Sequence, residues 1–336
     1  MKISRRSGRL PLMQILITGG GGFLGSHLAE RYLKDGHKVV AVDNFCTGLK
    51  ENRRYLEGLK AAAQNLAFIE ADVTLPWDSW ISKITGKVDL VLHFASPASP
   101  PHYQRLGIET LWVNSLGLSR ALEFADSNKA RVVFASTSEI YGDPSVSPQP
   151  ETYWGNVNTM GPRSCYDEAK RFGESLIYTH NHKFGTKHGL VRIFNTYGPR
   201  MNPNDGRVII NFLIQALAGK NLTVYGDGKQ TRSFCYVDDL IEGIVRYAGT
   251  HITEPVNLGN EKEFTILEAA QTVRDIFSSS NLKVSHESLP MDDPKQRRPD
   301  LTRAKKLLAP WAPRVQLEDG LRKMLVTLAP EKGKPK

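Results

Sequence analysis

Cysteine is scarce in this chain: three residues in 336, at positions 46, 165 and 235. Their number is odd, their spacing wide, and no C-x-x-C occurs. That argues against a disulfide framework or a zinc site and fits a reducing, cytoplasmic setting with no bound metal. Long apolar runs are missing too; none approaches the roughly 18 residues that span a bilayer, so no membrane partner is expected. The basic start Lys2-Ile3-Ser4-Arg5-Arg6 imitates a signal peptide. The apolar run behind it, Leu10 to Thr18, passes into glycines without a small-residue cleavage site and reads as a first strand. Low-complexity sequence is absent, apart from a flexible tail expected over residues 329–336. Acidic charge is in short supply, 35 Asp and Glu against 44 Lys and Arg, for a net charge of +9. A basic balance suits anionic metabolites or nucleic acid. The Lys and Arg residues are scattered, without a basic run interleaved with aromatics, so no nucleic-acid partner is expected.

What is present is a folded α/β pattern. Hydrophobic residues make up 40% of the chain and charged residues 24%, ordinary for a globular protein. The apolar runs Gln14 to Thr18, Lys38 to Val42, Leu66 to Ile69, Val88 to Phe94, Arg131 to Ala135 and Gly189 to Phe194 alternate with amphipathic stretches. Short strongly apolar strands separated by helices predict right-handed crossovers and a parallel sheet covered on both faces. The fold class is therefore α/β, a Rossmann-type doubly wound parallel sheet over residues 12–194. Beyond Asn195 the loops grow rich in Gly, Asn and Pro, which predicts a smaller α/β substrate-binding domain over 195–328, partly interleaved with the first.

Two motifs carry chemistry. Thr18-Gly19-Gly20-Gly21-Gly22-Phe23-Leu24-Gly25 follows a strand and opens a helix, satisfying G-x-x-G-x-x-G at Gly19, Gly22 and Gly25. Glycines allow a tight turn and close approach of backbone to a pyrophosphate, and the helix N-terminus supplies N–H donors. The next strand ends in Asp43, where a carboxylate accepts from ribose hydroxyls and repels a 2′-phosphate, so NAD is favoured over NADP. Asp72, after the third strand, suits an adenine contact or a helix N-cap equally. The second motif is Tyr166-x-x-x-Lys170, four residues apart on one helical face. An ammonium there favours tyrosinate and lowers the Tyr pKa toward neutrality. Ser136-Thr137-Ser138-Glu139, at a strand end, offers a hydroxyl beside it.

With these residues assembled, the chain resembles the extended short-chain dehydrogenase/reductases, and among them the UDP-glucuronic acid decarboxylase family. The matching stretches include Ile15 to Gly20, Val42-Asp43-Asn44-Phe45, His93 to Pro101, Ala135 to Pro144, Tyr153-Trp154-Gly155, Gly161-Pro162-Arg163 and Cys165 to Lys170. They continue through Arg192 to Arg200, Asn204 to Val208, Leu222 to Arg232, Val256 to Asn260 and Asp292 to Asp300, so the resemblance runs from about residue 14 to 325. Ser96-Pro97-Ala98-Ser99-Pro100, Ser136 to Glu139 and Asn204-Asp205-Gly206-Arg207 are its most specific parts.

The resemblance implies oxidation of UDP-glucuronate at C4 by NAD, loss of CO2 from the 4-keto acid, and re-reduction to UDP-xylose. It implies catalytic roles for Tyr166, Lys170, Thr137, Ser138, Glu139 and Arg232. For NAD it implies Gly19, Gly22, Phe23, Leu24, Gly25, Asp43, Asn44, Phe45, Thr47, Asp72, Val73, Phe94, Ala95 and Ser96, with Tyr166 and Lys170. For the nucleotide sugar it implies Ser99, Tyr103, Glu139, Asn195, Arg200, Arg207, Tyr225, Gln230, Arg232, Arg297 and Arg298. Asn195, Arg207 and Arg297 offer diphosphate donors, and Arg298 is not separable from Arg297 in sequence. Core packing or loop capping suits Ser99 and Tyr103 as well as a sugar contact does. Glu139 would repel the substrate carboxylate or order a water, unless it is merely a solvated strand end. Trp112 stands where the family carries Lys. Relatives pair as homodimers, with Gly107 to Asp126 and Tyr166 to Lys183 the candidate interface helices. Rival readings are a UDP-glucuronate 4-epimerase or a sugar 4,6-dehydratase, and more remotely a non-catalytic NAD-sensing or nucleic-acid-binding protein.

Overall fold

The computed structural model describes residues 12–278 and 282–329. The basic start, and the expected tail beyond Ala329, lie outside the described residues. Seven strands form one parallel sheet: β1 (Gln14–Thr18), β2 (Lys38–Asp43), β3 (Leu66–Glu70), β4 (Leu90–His93), β5 (Arg131–Thr137), β6 (Gly189–Ile193) and β7 (Val256–Leu258). Their spatial order is β7-β6-β5-β4-β1-β2-β3. Both faces are covered, which is why the strands read as unbroken apolar runs rather than alternating ones. In β1, Ile15 and Ile17 enter the apolar cluster on one face and Leu16 the cluster on the other. Four helices matter for the site: α1 (Phe23–Lys34), α2 (Gly107–Trp112), α3 (Leu118–Asn128) and α4 (Ser164–Phe184). A π-helical turn, Val113–Gly117, joins α2 to α3.

The predicted strands Val88 to Phe94 and Gly189 to Phe194 prove shorter. The fourth strand ends where the Phe94 N–H is shared between the Thr18 carbonyl and hydroxyl, each at 3.2 Å, and the Ala95 N–H goes to that hydroxyl at 3.3 Å. The boundary near residue 195 is not a division between cores. Strand β7 comes from the second half and pairs with β6, Val256 opposite Val191. One continuous apolar cluster holds Ile15, Val133 and Val191 together with Phe212, Leu240, Ile244 and Leu321. Beyond the large sheet, Thr231–Ser233 lies between an antiparallel Glu263–Thr265 and a parallel Gln296–Arg297. The loops at the carboxyl ends of β1, β2, β4, β5 and β6 all open on the same side, at the point where strand order reverses. In such sheets that is where ligands bind.

Candidate active site

One cavity of about 640 Å³ runs from the glycine loop to Tyr225. The loop at its first end is built by steric exclusion. Gly19 has φ of +76°, and a Cβ at Gly25 would stand 2.0 Å from the Gly19 carbonyl oxygen. Only glycines let α1 settle this closely on the strand end. Gly22 caps α1 without any side-chain hydrogen bond. The first-turn N–H groups, at Phe23, Leu24 and Gly25, are thereby left for an anion, with the helix dipole behind them. Asp43 accepts from the Gly21 N–H at 2.9 Å and the Phe45 N–H at 2.7 Å. Burial raises its pKa against those bonds. These donors use only part of a carboxylate's acceptor capacity, and Asp43 lines the cavity. Residues and ligand therefore fit: a dinucleotide's pyrophosphate at the loop, its ribose at Asp43.

Around this frame, Asn44, Thr47, Asp72, Val73, Phe94, Ala95 and Ser96 line the same cavity. Asp72 caps a turn rather than a helix. It accepts from the Thr74 N–H at 2.8 Å and from Asn44 Nδ2 at 3.0 Å. Phe45 does not line the cavity; it stacks on Phe68 and lies beneath Gly21, fixing the loop from behind. His93, visible in the sequence only as the start of a matching stretch, ties the frame together. Its two ring nitrogens engage the Thr18 hydroxyl and the Val113 carbonyl, each at 3.0 Å. Burial pushes its pKa down to about 4, so it stays neutral.

The candidate catalytic pair, Tyr166 and Lys170, lines the same cavity. The Thr137 hydroxyl lies beside Tyr166 and works to lower its pKa. Lys170 Nζ donates to the Ala135 carbonyl at 2.7 Å and lies 5.7 Å from the Tyr166 ring centroid. The expected lowering of the Tyr166 pKa does not follow from Lys170 by itself. Burial dominates both groups, pushing Tyr166 up to about 12 against the Thr137 hydroxyl and Lys170 down to about 7. Burial thus shifts both toward their uncharged forms, and an added positive charge beside the phenol is what would restore tyrosinate. Tyr103 stacks on Tyr166, centroids 4.9 Å apart and planes within 5°. Its hydroxyl is buried without a partner.

Glu139 is not a solvated strand end. It pairs with Arg163 at 2.5 Å and with Arg297 at 3.1 Å. Burial would raise its pKa, but Arg297 and Arg163 overcome this and hold the carboxyl well below its ordinary range. Arg232 lines the cavity and donates to Asp293 at 2.9 Å. Arg163 and Asp293 were missed as functional residues; both were visible only as parts of matching stretches. Asp167, next to Tyr166, was also missed. It is buried with one oxygen unpartnered, and burial reinforced by Glu139 raises its pKa.

Other expected residues divide. Asn195, Arg207, Tyr225 and Gln230 line the cavity, Arg207 held by Asp205 at 2.8 Å. Arg200 also lines it, but its side chain pairs with Glu30 on α1 at 2.7 Å and covers Tyr55. Arg297 is 1% exposed, bound to Ser138 Oγ, Glu139 and the Gly142 carbonyl, and does not reach the cavity. It holds Ser138 and Glu139 from behind and is no diphosphate donor. Arg298 points the other way, toward Glu263 at 3.4 Å. Ser99 is buried at the start of a short helix with its hydroxyl unpartnered and off the cavity wall. Trp112 lines the cavity, half exposed. The cluster Asp126, His180 and His188 lies at the amino-terminal ends of β5 and β6, away from the cavity. There His188 Nδ1 accepts from the Val132 N–H at 3.0 Å, so its other nitrogen carries hydrogen toward Asp126.

A dinucleotide loop, a Tyr–Lys pair and a second binding region in one cavity define an NAD-dependent enzyme. A family model for the NAD dependent epimerase/dehydratase family matches residues 15–259, and the chain belongs to that family. It is 48% identical over 313 residues to UDP-glucuronic acid decarboxylase 1 of Danio rerio, covering 93% of this chain and 72% of the relative. To UDP-glucuronic acid decarboxylase 3 of Arabidopsis thaliana it is 45% identical, covering 93% and 87%. Among solved structures, UDP-glucuronic acid 4-epimerase from Bacillus cereus, in complex with UDP-glucuronic acid and NAD, superposes with a TM-score of 0.81 at 28% identity. That match covers 94% of this chain and 99% of the other. UDP-glucose 4-epimerase from Thermotoga maritima, with UDP-glucose, gives 0.83 at 28% identity, covering 94% and 98%.

Proposed function

We propose that the protein converts UDP-glucuronate to UDP-xylose and CO2 with internally recycled NAD. The observation that carries this is the buried cluster of Glu139, Arg163, Arg232 and Asp293 on the same cavity as Tyr166. A sugar without a carboxylate at C5 has no need of paired charges there, whereas one whose carboxylate must be held and then released does. NAD, when bound, supplies a two-electron acceptor and a positive ring beside the phenol. Tyr166 takes the proton of the C4 hydroxyl, steadied by Thr137, and Lys170 provides the adjacent cation. In the 4-keto acid the C5–C6 bond breaks, its electron pair passes toward the C4 oxygen, and CO2 departs uncharged. Tyr166 stands at that oxygen as donor. Arg232 holds the carboxylate, and Glu139 stays ionised to order a water for C5. An unperturbed guanidinium is a poor acid, so Arg232 positions rather than protonates.

Proton NMR of the protein with UDP-glucuronate and catalytic NAD tests the reading. UDP-xylose without NADH build-up is expected; UDP-galacturonate would make it an epimerase and remove the role given to the cluster.

The paired state is part of this proposal. Ile108, Leu111 and Leu116 beside α2, with Phe172 on α4, are exposed apolar side chains on helices that pack together. Covering them in a homodimer removes that surface from water. We place the protein in the cytoplasm on its three free cysteines. No described helix is long and apolar enough to cross a membrane.

A further inference from the structure

Arg232 and Arg297 stand directly opposite one another on neighbouring parallel strands. Like charges so placed repel, and Arg163 reaches the same spot from the turn before α4. The carboxylates that answer them are Glu139 and Asp293. Three guanidinium groups thus meet two carboxylates, and the cluster is one anion short. Asp167 does not supply it: it forms none of the described ion pairs and one of its oxygens is buried without a partner, while burial and the neighbouring Glu139 raise its pKa. Arg207 is already closed on Asp205 and Arg192 on Glu174. The unanswered charge faces the cavity at Arg232, which is only partly engaged. Its Nη1 donates to the Thr231 carbonyl and its Nη2 to Asp293, each at 2.9 Å. A guanidinium has five N–H donors, so an edge remains for a ligand carboxylate.

We propose that Asp293 is the specificity-determining counter-ion of this site: it holds Arg232 by one edge, presents the other to the sugar carboxylate, and limits how tightly that carboxylate is gripped. The inference rests on the decarboxylase reading. As the C5–C6 bond breaks, the negative charge leaves the carboxylate for the C4 oxygen, and the ion pair with Arg232 is lost on the way to the transition state. Binding stronger in the ground state than in the transition state slows the step. With Asp293 on the same guanidinium, the carboxylate is recognised without being over-stabilised.

The test begins with the wild-type enzyme and NMR detection of UDP-xylose, then compares Asp293→Asn and Asp293→Glu. Asp293→Asn is expected to bind UDP-glucuronate about tenfold more tightly by calorimetry and to turn over about tenfold more slowly, the pattern of removed ground-state destabilisation. NADH should build up during its turnover, since oxidation then outruns decarboxylation. Affinity for UDP-xylose, which has no carboxylate, should stay unchanged, and Asp293→Glu should return both values toward wild type. Unchanged or weaker binding of UDP-glucuronate, or equal changes for the two nucleotides, would overturn the proposal. If the wild type makes no UDP-xylose, the decarboxylase reading falls, while the ratio of the two affinities still decides whether Asp293 discriminates a carboxylate.

Discussion

The glycine loop and the charged cluster share one cavity and are built by opposite means. The loop uses backbone: Gly19, Gly22 and Gly25 lie within one turn of chain, and what they contribute is the lack of a side chain. The cluster uses long side chains from distant places, with Glu139 and Arg297 158 residues apart in sequence. A backbone site tolerates almost no added atom. A side-chain site tolerates rearrangement but not an unmatched charge, because a buried ion left without its partner is strongly unfavourable.

The largest expected effect tests what the two regions jointly serve. Tyr166→Phe removes the acid–base hydroxyl and should lower kcat by about 10²- to 10⁴-fold while NAD binding, followed by fluorescence, persists. Next come the neighbouring arginines. Arg297→Met should destabilise by about 1–3 kcal/mol, since the buried Ser138 hydroxyl and Gly142 carbonyl lose their donor while Glu139 keeps Arg163, whereas Arg298→Met should cost no more than about 1 kcal/mol for a half-exposed pair. Urea unfolding of both would show whether the pair is as unequal as the structure makes it. On the backbone side, Gly25→Ala drives a methyl group into the Gly19 carbonyl and should destabilise the loop by about 1–3 kcal/mol, read as weakened NAD affinity.

The smallest effect concerns pH. Glu139 has its pKa held below the ordinary value of 4.5 by Arg297 and Arg163, against burial. The stability this contributes is fully present above pH 4.5 and is lost as pH falls through the depressed value. Glu139→Gln should therefore flatten the acid limb of the stability curve while lowering stability at neutral pH. An acid limb as steep as that of wild type would detach Glu139 from the arginines.

This contrast also explains what could be read before the structure was known. The strands were legible because a sheet buried on both faces demands contiguous apolar residues. The cofactor loop was legible because its requirements are local, and Asp43 because it ends the very next strand. Tyr166 and Lys170 were legible because helical spacing alone puts them on one face. Arg297 and Arg298 were not separable, since a strand sends successive side chains to opposite faces and only the register against Arg232 decides which one turns inward. The partners of Arg200 were not legible, because nothing in the chain shows that Glu30 and Tyr55 receive its side chain. His93 and Asp293 were visible only as members of matching stretches, with no role attached, their partners lying far away in sequence.

The sequence by itself determined the sheet, the dinucleotide loop, the Tyr–Lys pair and the family, because each depends on residue type at short spacing. The tertiary structure decided the charge states and the pairing of the arginines. Burial, not the four-residue spacing to Lys170, sets the pKa of Tyr166. The shortage of one anion in the cluster exists only once five residues from four separate segments share the same low-dielectric space.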